Sequence, residues 1–339
     1  MPSKSRRIPG YDLLRVLATC AVIFLHAATS QLYAAEVNSA SWRGMIFWDG
    51  LMRWSVPAFF LLSGALFLSS DKPLSEILRK NALRIGTAYV FWSFVYALVS
   101  RPDGWKSFLY TWIAGHYHLW FCWAILGLYL LVPLLRPIAR SETMGRYYLL
   151  LAFIFASLLP MLLGLVWPIS PRLHALGSAV IDKTNLQFPM GYAGIFVFGY
   201  FLSKGLSPKN ERLLYVLGIL GVLFTPVSAL ILSAKFEREM TSFYPFLMPN
   251  AVFPAAALFV LLKNKVKRGT PLLRILSDAS FGAYLVHVLI LGLLSRIGLS
   301  SLLFSSWFSI PLVAVIAAAL SFAVGITLRR IPVIGKYLS

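Results

Sequence analysis

The chain has 339 residues, of which 59% are hydrophobic and only 13% charged, against roughly 25% charged in an average soluble domain. Its formal net charge of +19, from 31 Lys and Arg against 12 Asp and Glu, would suggest a nucleic-acid partner in a soluble protein. Here the basic residues stand in short clusters between long apolar runs, and the mean hydropathy is +0.76, so the composition argues against nucleic acid and for an all-α polytopic membrane protein surrounded by lipid.

A membrane-spanning helix needs about 20 predominantly apolar residues. That rule predicts about ten spans, at 11–33, 43–69, 81–100, 118–138, 147–168, 187–203, 210–233, 244–263, 278–297 and 304–328. The leading MPSKSRR is like the basic region of a signal peptide. The apolar run behind it is too long, and no small-residue cleavage site closes it, so an uncleaved first span is expected. Cys20 and Cys122 both fall inside predicted helices and read as free thiols. No clear internal repeat is visible, which weighs against a transporter built from inverted halves.

Orientation follows from the Lys and Arg bias. With both termini in the cytoplasm, 21 Lys and Arg fall on the inner side and 8 in outer loops, leaving Arg15 and Arg53 inside spans. The inner set begins with Lys4, Arg6 and Arg7, and this asymmetry accounts for most of the net charge.

The first span, YDLLRVLATCAVIFLHAATSQLY, carries Asp12, Arg15 and His26, and ionisable groups in hydrocarbon need a reason. Arg15 and His26 are eleven residues apart, close to three turns. They therefore share a helix face about 16 Å apart along the axis, with Asp12 placed to pair with Arg15. Arg15 then lies near the cytoplasmic side, and His26 about 22 Å from the start of the span.

In the second span Arg53 falls near mid-depth, where it needs a cavity or an anionic partner; the bland reading is an arginine that snorkels or ties helices together. Pro57 should kink this helix and free a carbonyl. Arg79, Lys80 and Arg84 open the third span at the inner face. They suit the phosphates of a nucleotide-bearing substrate, or equally a lipid headgroup. His116-Tyr117-His118-Leu119-Trp120 stands at the mouth of the fourth span. Two His two residues apart are a weak metal signal, no metal is expected, and a polar contact lining an outer-facing site fits better.

Residues 169–186 and 234–243 read as the longer outer loops, with His174 a solvated loop residue. In the ninth span Ser277 or Asp278 is expected to cap the helix, and His287 sits about 13 Å into the membrane, where a packed core histidine is the alternative to a functional one.

Five blocks, in order, resemble the acyltransferase-3 family of integral membrane acyltransferases. They are Arg15 with His26 after ten intervening residues, Arg53 to Gly64, Arg79 to Arg84, Tyr117 to Trp120 followed by Leu128 to Pro133, and Ser280 to His287. Length and blocks are most like the subgroup that contains the enterobacterial common antigen O-acetyltransferase. One departure stands out: the family often has two arginines separated by two residues at the third helix, and the position three before Arg84 is Asn81.

The resemblance implies that residues 1–339 form a single integral membrane acyltransferase domain, multi-pass in a bacterial plasma (inner) membrane. It would move an acyl group, acetyl above all, from cytoplasmic acyl-CoA to a hydroxyl of a surface or envelope glycan or lipid-linked sugar. On that reading Arg15, Arg79, Lys80 and Arg84 receive the donor phosphates. His26 either deprotonates the acceptor or takes the acyl group itself, and Arg53 stabilises the oxyanion or holds His26. His118, Trp120 and His287 serve the acceptor. The competing class is a transporter or flippase in which the same buried charges line a translocation path. A passive scaffold explains neither Arg15 nor His26.

Overall fold

Lipid offers backbone N–H and C=O groups no partner, so a chain this apolar has to satisfy them within helices. The computed structural model describes residues 7–185, 187–332 and 335–339, and these contain helices and no strand. Lys4 and Arg6, counted above toward the inner face, lie outside the described residues.

The helices are α1 (Pro9–Thr29), α2 (Ala40–Met52), α3 (Ser55–Leu68), α4 (Leu74–Ser100), α5 (Gly104–Ala114), α6 (Trp120–Arg140) and α7 (Glu142–Val166). They continue with α8 (Pro171–Thr184), α9 (Gln187–Lys204), α10 (Pro208–Phe236), α11 (Pro249–Lys265), α12 (Pro271–Arg296), α13 (Ser306–Arg329) and the short α14 (Gly335–Leu338). Among the described residues, eight helical stretches are long and apolar enough to cross a bilayer, α2 with α3 and α5 with α6 each forming one of them. Each of the ten expected spans falls on a helix. The two outside the eight are α9, bent at Gly191, and α11, 17 residues long. The protein is an all-helical, multi-pass membrane protein.

α1 starts with Pro9 in its first turn, where the missing N–H costs nothing. It runs through the middle of the bundle, packed against α2, α3, α11, α12 and α13. A helix so surrounded can carry charged side chains because few of its faces meet lipid. Pro57 does what its chemistry requires: it cannot donate to the carbonyl of Arg53, one turn earlier. Helix α2 stops at Met52 and α3 restarts at Ser55, leaving Arg53 and Trp54 in a two-residue break.

Two glycines let α3 and α9 lie backbone to backbone. A Cβ at Gly64 would run into the carbonyl of Phe196, and one at Gly199 into the carbonyl of Leu61. Small residues are how helices approach closely where lipid provides no hydrophobic drive.

Two expectations need correction, and one local feature is new. Helix α12 begins two turns before Ser277, because Thr270 accepts from the Leu273 amide and Pro271 fills the first turn. Ser277 and Asp278 are therefore inside the helix and do not cap it. Residues 171–184, expected as loop, form α8, with Ser170 as its cap and His174 on its first turn. In α4, residues Leu78–Ala82 form a π-helical turn that a count of 3.6 residues per turn does not anticipate.

Candidate active site

One cavity of about 1070 Å³ follows the polar face of α1. Ile8, Tyr11, Arg15, Val22, His26 and Thr29 all line it. Ile8 to Thr29 is a rise of roughly 31 Å, so the cavity covers most of a bilayer's depth.

The end near Arg15 is cationic. Lys72, Arg84, Lys204, Lys263 and Arg329 join Arg15 in the lining, and among the described residues the one acidic side chain in it is Asp278. Lys72 is paired with Glu76 at 3.4 Å, whereas Arg15, Arg84 and Lys263 hold hydroxyl or main-chain oxygens at close range. Arg15 donates to the hydroxyl of Ser277 at 3.1 Å, and that hydroxyl donates to Asp12 at 2.7 Å. The direct Arg15–Asp12 separation is 3.8 Å, because the nearer partner of Asp12 is Arg7 at 2.6 Å, which also reaches Asp278 at 2.9 Å. Arg84 donates to the backbone carbonyl of Ser339, and Lys263 to the carbonyls of Leu202 and Ser203.

Of the basic cluster on α4, Arg84 and Asn81 line the cavity, whereas Arg79 and Lys80 are exposed and do not. Lys80 is drawn to Glu76 at 3.0 Å, one turn earlier. The position where the family resemblance lacks its arginine is thus on the cavity wall, and the two neighbouring basic residues do not fill it.

The far end is built of imidazoles. His26 and His118 line the cavity; His287 lies fully buried behind them. Ring centroids are 5.1 Å apart for His26 and His287, 5.2 Å for His118 and His287, and 6.4 Å for His26 and His118. Four of the five histidines of the chain meet here, because His116 places Nδ1 2.9 Å from Nδ1 of His118. Gly115, at φ of 75°, makes the turn from α5 that lets both follow so closely.

Sequence reading placed the run His116–Trp120 at an outer-facing site but gave no role to His116 or to Tyr117, whose hydroxyl stands 3.4 Å from Nδ1 of His26. The signal was present in the His-Tyr-His run. Only the fold shows that it docks on α1 and α12. Among the described residues no three His, Cys, Asp or Glu side chains are arranged to hold a metal ion.

Arg53 lines the same cavity from the helix break. Its Nη2 is 2.5 Å from Asp49, and its guanidinium lies over Tyr244 at 4.5 Å and Phe246 at 5.2 Å. The Arg53 Nε and the Asp49 Oδ1 are buried without a hydrogen-bond partner. Phe246 stacks on Trp120, and both face the cavity. A cation and an aromatic floor therefore lie beside the imidazoles.

Chemically, one end can hold a polyanion and the other can accept a proton and stabilise developing negative charge. A family model described as an acyltransferase domain matches residues 8–330. Neither the curated proteins nor the solved structures include a match to this chain.

Proposed function

Since the chain belongs to the acyltransferase-3 family, we propose that it is a membrane O-acyltransferase of a bacterial inner membrane. It moves an acyl group, acetyl in the first instance, from cytoplasmic acyl-CoA to a hydroxyl of a surface or envelope glycan. The observation that carries this reading is the single cavity that joins a cationic end at Arg15 to an imidazole end at His26.

Coenzyme A thioesters are polyanions with a long flexible arm. Arg15, Arg84 and the lysines around them meet phosphates by charge-assisted hydrogen bonds, exchanging the hydroxyl and main-chain oxygens they now hold for phosphate oxygens. The positive-inside bias puts that end in the cytoplasm, where the donor is. The arm then covers the rise of about 16 Å between Arg15 and His26. The acceptor enters from the opposite side, over Trp120 and Phe246.

In the reaction His26 takes the proton of the acceptor hydroxyl, and the oxygen attacks the thioester carbonyl. Arg53 faces the oxyanion of the tetrahedral intermediate. The C–S bond breaks, and the thiolate takes the proton back from His26. The products are the ester and free coenzyme A. Similarity to the subgroup of the enterobacterial common antigen O-acetyltransferase makes a lipid-linked sugar of the envelope the first acceptor to test.

Purified protein in lipid nanodiscs, given labelled acetyl-CoA and a lipid-linked sugar, should transfer label to the sugar. No transfer, together with accumulation of the sugar in sealed vesicles, would favour a transporter instead.

A further inference from the structure

His287 is a buried histidine that the reaction as written does not use. It lies one turn after Tyr284 on α12, fully buried and off the cavity wall. Its Nδ1 rests against the backbone carbonyl of Tyr284. A carbonyl can only accept, so Nδ1 carries the hydrogen, and in the neutral ring Nε2 is a bare acceptor. That Nε2 is buried and has no hydrogen-bond partner. The neighbouring ring of the reaction is His26, 5.1 Å away and tilted by 37°.

The demand comes from His26. Once it has taken the proton of the acceptor it has two N–H donors. Tyr117 Oη, 3.4 Å from Nδ1, can take one. The other needs an acceptor held in place beside the ring, and catalytic imidazoles commonly find a carboxylate there. Among the described residues no carboxylate pairs with His26. The acidic residue on the cavity wall is Asp278 at the Arg15 end, and Asp49 is held by Arg53. His118 also has a buried Nε2 without a partner, but its ring is further from His26, at 6.4 Å against 5.1 Å for His287.

We propose that His287 is a positioning residue that accepts a hydrogen bond at Nε2 from His26 when His26 holds the proton, standing where a carboxylate otherwise would. Rotation of the His26 ring closes the pair. No bond to His287 is made or broken, and the proton stays on His26 until the departing thiolate collects it. The inference rests on the proposed acyl transfer and adds to it the group that makes the His26 imidazolium tolerable.

Three substitutions separate acceptor from filler. His287→Gln keeps an acceptor oxygen at the ε position. His287→Phe keeps the ring without one. His287→Asn keeps a donor for the Tyr284 carbonyl but does not reach His26. In the nanodisc assay kcat should fall about 100-fold or more in the Phe and Asn variants, and stay within about tenfold of the parent in the Gln variant. KM for acyl-CoA should not move in any of them. The acid limb of the kcat profile should shift to lower pH in the two impaired variants, because an imidazolium without its acceptor gives up its proton more readily. Parental kcat in the Phe or Asn variant would overturn the proposal. So would equal losses in all three with the limb unmoved. If the Phe variant does not insert, the Asn and Gln pair decides. Failure of the unsubstituted protein to transfer any acyl group would instead overturn the reading on which this one rests.

Discussion

Asp49→Asn tests whether the charge at Arg53 is tolerated only because it is paired. The Asp49 side chain is 3% exposed and that of Arg53 18%, so water does little to screen either. Removing one partner of a buried pair costs about 3–5 kcal/mol, mostly the cost of the charge left behind. Arg53 keeps the faces of Tyr244 and Phe246, and a desolvated cation–π contact offsets up to about 2 kcal/mol. The net expectation is a loss of about 1–5 kcal/mol. Arg53→Gln strands Asp49, which has no aromatic face to turn to and already has one oxygen without a partner. Its loss should be the larger of the two. The double substitution removes both charges and should cost clearly less than the two single losses combined. Thermal unfolding of the detergent-purified protein, followed by loss of the monodisperse peak, ranks the four proteins. Additive losses, or a parental midpoint in Asp49→Asn, would refute the argument that the pair holds Arg53 in place.

Three further outcomes follow from the cavity and the helix contacts. His26→Ala should insert normally and lose acyl transfer by about 10²- to 10⁴-fold, measured by label in the acceptor; full activity removes His26 from the chemistry. Arg84→Ala should weaken donor binding by about 1.5–3 kcal/mol, roughly 10- to 150-fold in Kd by calorimetry, while Arg79→Ala and Lys80→Ala, off the cavity wall, should change it by less than about threefold. Gly199→Leu should prevent recovery of folded protein, since even its Cβ meets the Leu61 carbonyl; a monodisperse, parental sample would show that α3 and α9 do not need this approach.

Much of this molecule is legible in its residues because lipid restricts the choices. Apolar runs had to be helices, and Arg15 and His26, eleven apart, had to share a face. Pro57 had to break the helix beside Arg53. What escaped was set by backbone detail or by partners distant in sequence. The π-helical turn at Leu78–Ala82 and the pull of Glu76 on Lys80 decide which basic residues of α4 reach the cavity, and neither shows in a helical count. Asp12 was placed beside Arg15 on sound helical grounds, yet Arg7, from ahead of the helix, takes the closer position. The meeting of His26, His118 and His287 joins residues up to 261 positions apart, and only packing brings them together.

The cationic lining also bears on permeability. A cavity that covers most of the bilayer's depth, lined at one end by Arg15, Arg84, Lys263 and their neighbours, is a potential route for ions down their gradient. Each fixed positive charge repels a monovalent cation by about 2 kcal/mol at about 8 Å and an effective dielectric of about 20. Several together make that end a barrier to sodium, potassium and hydronium. An anion meets the opposite field and is drawn in as far as the cations extend. A membrane that stores energy as a proton gradient can therefore hold an open vestibule of this kind without being short-circuited by it.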